Sequence, residues 1–277
     1  MTIHNGRTLG VCSWSLQPSS PGDLASKVSA CGLSAVQLAL DPIREGSWGL
    51  GETSRALADA GITIASGMMV TAGEDYSTLE SIKQTGGLRP DTHWEANLAS
   101  AKENAQIADE LEISLVTLHA GFLPHEPGDP ERETMIDRLV RVAGAFGHRG
   151  VALALETGQE TAQTLADLLA DPRLAGVGVN FDPANMILYA MGDPTEAMRL
   201  LRPHVHQVHM KDATATRTPG EWGAEVPAGT GEVDWKTFFG IVRTLPGSVS
   251  VMIEREAGDE RDADISTARE LAEQLGL

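Results

Sequence analysis

The stretch VALALE, residues Val151–Glu156, is a short apolar run that ends in a carboxylate able to bind a metal. Its length and composition are those of a buried β-strand. Three later runs have the same form, namely Val177–Asp182 (VGVNFD), Val205–His209 (VHQVH) and Ser248–Glu254 (SVSVMIE). Each is followed by a helix-like segment, and strands that alternate with helices run parallel. The four terminal side chains are therefore predicted to face the same side of one sheet.

Strand-like runs also precede this part of the chain, and they bring the predicted strands to eight. They are Leu9–Trp14, Ala35–Leu40, Ile62–Met69 and Ser114–His119. Helical patterns separate the eight runs. The first pattern opens at Pro21 and Asp23, and the second spans Thr53–Ala60. The third contains Thr92–Glu95, which has the spacing of a capping box. The others are Glu131–Phe146, Thr161–Leu169, a pattern that starts at Asp193-Pro194, Asp234–Leu245 and Asp262–Leu275.

Eight strand–helix units in 277 residues predict an α/β fold, a single (β/α)8 TIM barrel with parallel strands that spans residues 1–277. A two-domain doubly wound protein is the alternative, but no Gly-x-Gly-x-x-Gly follows the first strand. Two connections, Val70–Asp91 and Lys211–Val233, are long and rich in Gly, Thr, Pro and charge. Because long loops at the catalytic face of a barrel usually cover a site, we expect both to do so.

The charge and cysteine content restrict the partners of this chain. A formal net charge of −18 repels nucleic-acid phosphates and anionic membranes, so neither is expected as a partner. The charge suits an enzyme with a small neutral or cation-assisted substrate, although it also serves plain solubility. No apolar stretch approaches a membrane span, the N-terminal residues lack a secretory pattern, and Cys12 and Cys31 lie in apolar segments. We therefore predict a cytoplasmic protein with reduced cysteines, and homo-oligomerisation stays open.

Three carboxylates and one imidazole would converge at the predicted barrel mouth. Glu156, Asp182, His209 and Glu254 form a mixed oxygen and nitrogen set that suits one divalent cation, with Mn²⁺ favoured and Mg²⁺, Co²⁺ or Zn²⁺ also compatible. Glu156 and Glu254 would lie on opposite sides of the mouth, as an acid/base pair for moving a proton between two faces of a carbon. A single acidic residue at a strand end is more often an N-cap or a solvated loop residue.

Five segments of the chain resemble the signature segments of the xylose-isomerase-like TIM-barrel superfamily, and the resemblance covers nearly the whole chain. They are Leu155-Glu156-Thr157, Asn180-Phe181-Asp182-Pro183-Ala184-Asn185, Val208-His209-Met210-Lys211-Asp212, Gly229-Thr230-Gly231-Glu232-Val233-Asp234 and Ile253-Glu254-Arg255-Glu256. The chain is most similar to the sugar phosphate isomerase/epimerase group. The resemblance implies that Glu156, Asp182, His209 and Glu254 bind the metal and that Glu156 and Glu254 are the acid/base pair of a sugar, keto-sugar or polyol isomerase or epimerase. This reaction passes through a metal-bound enediolate.

Several neighbours of these residues are candidates for substrate binding. Asn185 replaces a substrate-binding His that ketose epimerases of the superfamily commonly carry, and it could instead cap a helix. Lys211 follows His209 by two residues, so both side chains should point the same way, where the ammonium could stabilise an enolate oxygen. His119, Arg255 and Trp14 end or follow strands, but a core or ion-pair role suits each as well. Gln37, Trp48, His125 and Trp222 are weaker candidates, and His206 should face the helix layer.

Other functions use related chemistry. A metal-dependent lyase, for inosose-type dehydration or cleavage of 3-keto-glycosides, would use the same metal and base to expel a β-substituent. An apurinic-site endonuclease shares the fold but needs a His-rich three-zinc cluster. Here Asn185 replaces a His-type ligand, Gly223–Pro227 lacks Asp-x-His, and the net charge is −18. A non-catalytic sugar-binding barrel would not need all four ligands.

Overall fold

Eight parallel strands close into a barrel in the computed structural model, which describes residues 3–4, 6–126 and 128–277. A short strand β1 (Ile3–His4) pairs antiparallel with β2. The barrel order is β2-β3-β4-β5-β6-β7-β8-β11, and β11 pairs with β2 to complete the ring. The barrel strands are β2 (Arg7–Cys12), β3 (Ala35–Ala39), β4 (Thr63–Met68), β5 (Leu115–Leu118), β6 (Ala152–Glu156), β7 (Gly178–Phe181), β8 (Val205–Met210) and β11 (Ser250–Ile253).

Helices follow the barrel strands, as the alternating sequence pattern predicted. The α-helices are α1 (Pro21–Ala30), α2 (Asp41–Arg44), α3 (Leu50–Asp59), α4 (Leu79–Thr85), α5 (Asp91–Glu110), α6 (Pro130–Gly147), α7 (Ala162–Leu169), α8 (Pro183–Leu188), α9 (Pro194–Leu201), α10 (Trp235–Val242) and α11 (Arg261–Gln274). Short 3₁₀ turns lie at Ser13–Leu16, Pro172–Leu174 and Arg202–His204. The observed elements confirm the α/β fold class and the TIM barrel.

Side-chain caps fix four of the predicted helix starts. Ser20, Thr161, Asp193 and Asp234 each accept a hydrogen bond from a backbone N–H in the first turn of the helix that follows. The predicted capping box at Thr92–Glu95 is wrong, because α5 already begins at Asp91 and its N-cap is a proline without a capping side chain.

The two long connections are more ordered than the sequence pattern indicated. Val70–Asp91 contains α4, whose start has a capping box between Thr78 and Ser81. Lys211–Val233 contains a hairpin of β9 (Asp212–Thr214) and β10 (Ala224–Val226). Local hydrogen bonds therefore hold both connections in place above the barrel.

The buried guanidinium of Arg7 ties the first barrel strand to the last strand–helix unit. It donates hydrogen bonds to the carbonyl oxygens of Val242, Leu245 and Pro246, each at 3.0 Å, and to that of Val249. Burial lowers the pKa of Arg7. Four carbonyl acceptors on one guanidinium satisfy a group that would be costly to bury alone, so this contact stabilises ring closure between β2 and β11.

Two further features bear on the sequence predictions. Cys12 and Cys31 are both free and buried, as expected of reduced core residues. Within the described part of the chain, none of the helices combines the length and the apolar character that crossing a bilayer requires.

Candidate metal centre

Four strand ends bring Glu156, Asp182, His209 and Glu254 together inside the barrel mouth. Glu156 ends β6, Asp182 follows β7, His209 lies near the end of β8, and Glu254 follows β11. All four residues are buried, and one ligand atom of each lies within 4.8 Å of the ligand atoms of the others. Parallel strands that end at one edge produce this convergence from residues that are far apart in sequence.

Two of the converging atoms lack a hydrogen-bond partner among the described residues. The Nδ1 atom of His209 lies 3.3 Å from Glu156 Oε1, 3.3 Å from Glu254 Oε2 and 3.8 Å from Asp182 Oδ2. Both Nδ1 and Asp182 Oδ2 are buried without a hydrogen bond. Because a buried polar atom without a partner is costly, the donor set fits a divalent cation between these four side chains.

The N-cap of α8 sets the orientation of Asp182. Its Oδ1 accepts hydrogen bonds from the backbone N–H groups of Ala184, at 2.7 Å, and Asn185, at 3.0 Å. Pro183 takes the first helical position, where no N–H is needed. The cap leaves Oδ2 directed at the cluster, and burial raises the pKa of Asp182 to about 6 despite the attraction of Lys211.

Gln37 fixes the tautomer of His209 from the opposite side of the ring. His209 Nε2 lies 2.7 Å from Gln37 Oε1, and Gln37 Nε2 donates to Thr117 Oγ1 at 2.7 Å. Since Thr117 takes the amide N–H, the amide oxygen faces His209, and His209 Nε2 carries the proton. Nδ1 therefore faces the cluster, where a cation would take the place of the proton that this atom carries. The sequence ranked Gln37 low, although a buried amide within an apolar strand requires such partners.

Cys12 also lies beside this ring, but it does not belong to the ligand set. Its Sγ atom is 3.7 Å from His209 Nε2, on the side that already donates to Gln37. Burial raises the pKa of the Cys12 thiol to about 12, so the thiol stays protonated. The two metal-competent groups found among the described residues share His209 and Glu254, and they define a single centre.

An ammonium and an indole hold Glu254. Lys211 Nζ donates to Oε2 at 2.9 Å, and Trp14 Nε1 donates to Oε1 at 2.8 Å. Burial raises the pKa of Glu254, but the charges of Lys211 and His209 outweigh it and hold the pKa well below its ordinary value. Glu254 is therefore ionised across the neutral range.

Glu156 has a different environment. Asn185 Nδ2 donates to Oε1 at 3.1 Å and Asn180 Nδ2 donates to Oε2 at 3.3 Å, while His119 Nε2 lies 3.7 Å from Oε1. Burial raises the pKa of Glu156, but His119 and His209 outweigh it, and the net shift is downward. The two glutamates thus face the centre with unlike partners.

Asn185 reaches Glu156 because the loop after β6 packs closely against α8. Gly158 has a φ of +135°, and a Cβ atom built there would lie 2.4 Å from Asn185 Cβ. Glycine therefore permits the loop after β6 to pack directly against α8. Asn185 does not cap this helix, because Asp182 does, and its amide is free to bind the carboxylate of Glu156.

A cavity of about 480 Å³ adjoins the cluster, within the roughly 300–1,000 Å³ typical of small-molecule sites. Trp14, His119, Asn185, Lys211 and Glu254 are among the residues that line it. Both long connections contribute a further part of the lining, which we call the loop wall. It consists of Val70, Thr71, Glu74, Tyr76, Trp222 and Glu225.

Asp212 anchors one of these connections beside Lys211. Its Oδ2 accepts hydrogen bonds from the N–H of Gly229 at 2.8 Å and Gly231 at 3.1 Å, and from Trp235 Nε1 at 2.9 Å. Its Oδ1 accepts from the N–H of Val233 at 3.2 Å. One buried carboxylate thus gathers the loop that carries Trp222 and Glu225 of the loop wall.

Arg255 is not among the residues that line the cavity. Its guanidinium pairs with Glu225 at 2.7 Å and with Asp264 at 2.9 Å, and both carboxylates compete with any substrate for its N–H groups. The ion-pair alternative therefore describes Arg255 better than direct substrate contact does. Arg255 acts on the cavity only through Glu225.

Three weaker candidates lie elsewhere. His125 contacts Thr164 at 2.6 Å, and Trp48 packs against the core. His206 lies near the start of β8, close to Ala152 at the start of β6 and so at the end of the barrel away from the cluster.

Comparison with known proteins places this geometry among related barrels. Residues 25–275 match the family model described as xylose isomerase-like TIM barrel. One curated relative, the uncharacterised protein YihM of Escherichia coli K12, is 28% identical over 146 residues. That match covers 50% of this chain and 44% of the relative, so it spans less than half of the relative's length.

Solved structures extend the comparison over nearly the full chain. A xylose isomerase domain protein from Planctomyces limnophilus superposes with a TM-score of 0.84 at 28% identity, and the match covers 90% of this chain and 91% of that one. An L-ribulose 3-epimerase gives a TM-score of 0.73 at 16% identity and coverages of 97% and 94%. The probable 3-DHS dehydratase AsbF of Bacillus anthracis gives 0.71 at 15% identity and coverages of 96% and 98%. The last two show a shared fold.

Proposed function

Because the chain belongs to the xylose isomerase-like TIM barrel family, we propose that it is a divalent-metal-dependent isomerase or epimerase of a sugar, keto-sugar or polyol. The observation that carries the proposal is the convergence of four buried ligand atoms, two of them without hydrogen bonds, at the edge of a 480 Å³ cavity. Solved structures with this fold include an L-ribulose 3-epimerase and a probable 3-DHS dehydratase.

We assign Glu156, Asp182, His209 and Glu254 as the ligands of one divalent cation, with Mn²⁺ favoured. When bound, the cation would polarise a substrate carbonyl and the neighbouring hydroxyl. Glu254 is available to accept a proton from the carbon next to the carbonyl, because Lys211 keeps it ionised. Glu156 is available to act on the opposite face.

Two cavity residues would support this proton transfer. Lys211 Nζ is buried at the cavity and gives two of its N–H groups to Glu254 and Glu256, which leaves the third to stabilise negative charge that develops on a substrate oxygen. The Trp14 indole holds Oε1 of Glu254 and leaves Oε2 toward the centre. Lys211 and Trp14 thus hold the carboxylate of Glu254 in place before substrate arrives.

A lyase is the second candidate, and the unlike environments of the two glutamates favour it. Elimination needs one base and one acid, whereas epimerisation needs a working carboxylate on each face of the carbon. Glu254 is paired with an ammonium, while Glu156 has two amides and the imidazole of His119. His119 lines the cavity with its Nε2 at 3.7 Å from Glu156 Oε1, which makes this imidazole a candidate proton donor.

The test follows solvent deuterium into the product of a keto-sugar and inosose panel, with Mn²⁺-loaded wild-type protein, Glu156→Gln and Glu254→Gln. We expect deuterium at the reacting carbon, and slowing of about 10²–10⁴-fold in a variant that lacks a required acid or base. Loss of exchange in both variants indicates an epimerase, and an elimination product with one variant far more damaged indicates a lyase.

Glu160→Gln is the matched control. Glu160 is buried four residues beyond Glu156, and burial raises its pKa to about 8, so the carboxyl is largely neutral and glutamine preserves its shape. This variant should keep wild-type exchange. Absence of deuterium in the wild-type products together with full turnover in both glutamine variants of the centre would refute the proposal.

A further inference from the structure

More carboxylate side chains than ammonium or guanidinium side chains line the cavity. Of the described residues that line it, only Lys211 carries an ammonium or guanidinium group. That ammonium is already bonded to Glu254 at 2.9 Å and to Glu256 at 2.5 Å. Glu225 of the loop wall is neutralised from behind by Arg255 at 2.7 Å. No ammonium or guanidinium group therefore remains unpaired among the described lining residues to receive an anionic substituent.

Glu74 adds a carboxylate without a cationic partner among the described residues. Its Oε1 accepts hydrogen bonds from Thr71 Oγ1 at 2.6 Å and from the backbone N–H of Gly87 at 3.1 Å. Its Oε2 is contacted by the hydroxyl of Tyr76 at 3.2 Å. These contacts fix the carboxylate at the cavity, where it accepts hydrogen bonds and repels negative charge.

The rest of the loop wall suits hydroxyl groups and apolar ring faces. Trp222 lines the cavity, while its Nε1 is buried without an acceptor among the described residues, so the side chain presents its aromatic ring to a ligand. Trp222 packs edge to face on Tyr189, with 4.8 Å between ring centroids. A carboxylate acceptor and aromatic faces together match a polyhydroxylated neutral ligand.

We infer that the cavity selects unphosphorylated carbohydrates and that Glu74 of the loop wall is the residue that excludes a phosphate group on the substrate. The inference rests on the proposed function, because it assumes that the carbonyl end of the sugar meets the cluster. A phosphate monoester carries between one and two negative charges at neutral pH. It would meet Glu74 with no paired cation to offset the repulsion.

The experiment uses matched sugars, D-fructose with D-fructose 6-phosphate and D-tagatose with D-tagatose 6-phosphate, and Mg²⁺-loaded protein. Binding is followed by the fluorescence of Trp14 and Trp222, which line the cavity, and turnover by deuterium exchange. Wild-type protein should prefer the unphosphorylated member of each pair by about tenfold or more. Glu74→Gln should bring the affinities for the unphosphorylated and the phosphorylated sugar closer together, and Glu74→Lys should make the phosphorylated sugar bind more tightly.

Glu80→Lys is the control, since it makes the same change in net charge at an exposed position on α4 outside the cavity lining. It should leave the ratio unchanged, and thermal unfolding verifies that each variant is folded. The inference would be overturned if wild-type protein bound the sugar phosphates as tightly as the unphosphorylated sugars, or more tightly. It would also be overturned if neither Glu74 substitution changed the affinity ratio between the two members of a pair. A preserved binding preference with no deuterium exchange would support this inference and contradict the proposed function.

Discussion

Replacing Gln37 with leucine tests whether the geometry behind His209 prepares the metal centre. Gln37→Leu removes the acceptor that lies 2.7 Å from His209 Nε2 and the donor that lies 2.7 Å from Thr117 Oγ1. The side chain is fully buried, so water does not replace either partner. The imidazole is then free to rotate or to carry its proton on Nδ1, where it would block a ligand position.

The expected cost is a loss of about 10–100-fold in metal affinity, the usual effect of removing the partner that orients a ligand His. This range equals about 1.4–2.8 kcal/mol, which agrees with the roughly 1–3 kcal/mol cost of a buried N–H without an acceptor. Isothermal titration of the metal-free protein with Mn²⁺ measures the affinity directly.

Gln37→Glu is the matched control, because it keeps an acceptor at the same reach from His209. It should bind Mn²⁺ more tightly than Gln37→Leu. Asn180 Oδ1 is buried without a partner, and its amide nitrogen lies 3.0 Å from His209 Nε2. A flip of this amide would replace the lost acceptor, so Gln37→Leu with Asn180→Leu should be weaker still. Wild-type affinity in Gln37→Leu and in the double variant would refute the reasoning.

Three other predictions concern protonation, loop anchoring and the cationic neighbours of the centre. Burial lowers the pKa of His209, but the negative charges of Glu254 and Glu156 outweigh burial and hold the pKa well above its ordinary value. A cation must displace that proton, so Mn²⁺ affinity should rise with pH, and titration in buffers of different ionisation enthalpy should show proton release. Asp212→Asn places an amide against backbone N–H donors and should lower the free energy of unfolding by about 1–3 kcal/mol in urea; an unchanged midpoint would contradict this. Lys211→Met should slow deuterium exchange about 10²-fold, whereas Arg255→Ala should chiefly lower the midpoint of thermal unfolding. An equal loss of exchange rate in both variants would place Arg255 in the site.

The barrel could be predicted from sequence because its strands are continuous apolar runs. Val177–Asp182 was predicted as a strand and Gly178–Phe181 was observed, because burial on both faces leaves few alternatives to a parallel strand. Helix starts were predictable where the cap is local, as at Asp193-Pro194. The capping box at Thr92 failed because the same spacing also occurs inside a helix that has already begun.

The site was predictable only in part. Strand topology places Asp182 and His209 at one edge whatever the side chains around them do. The partners of Gln37 lie on other strands of the barrel, far away in sequence at Thr117 and His209, and pattern alone contains no information on those contacts. A polar residue inside an apolar strand, as in AVQLA at 35–39, was the one available signal for Gln37.

The central claim is that Glu156, Asp182, His209 and Glu254 hold one divalent cation, and anomalous scattering from a Mn²⁺-soaked crystal tests it most directly. We predict one strong peak between His209 Nδ1, Asp182 Oδ2 and the two glutamates, at oxygen and nitrogen distances of about 2.0–2.3 Å. Asp182→Ala should remove the peak, and Glu160→Gln should retain it. A fully soaked crystal with no ion at the cluster, or with Mn²⁺ bound only elsewhere, would contradict the account.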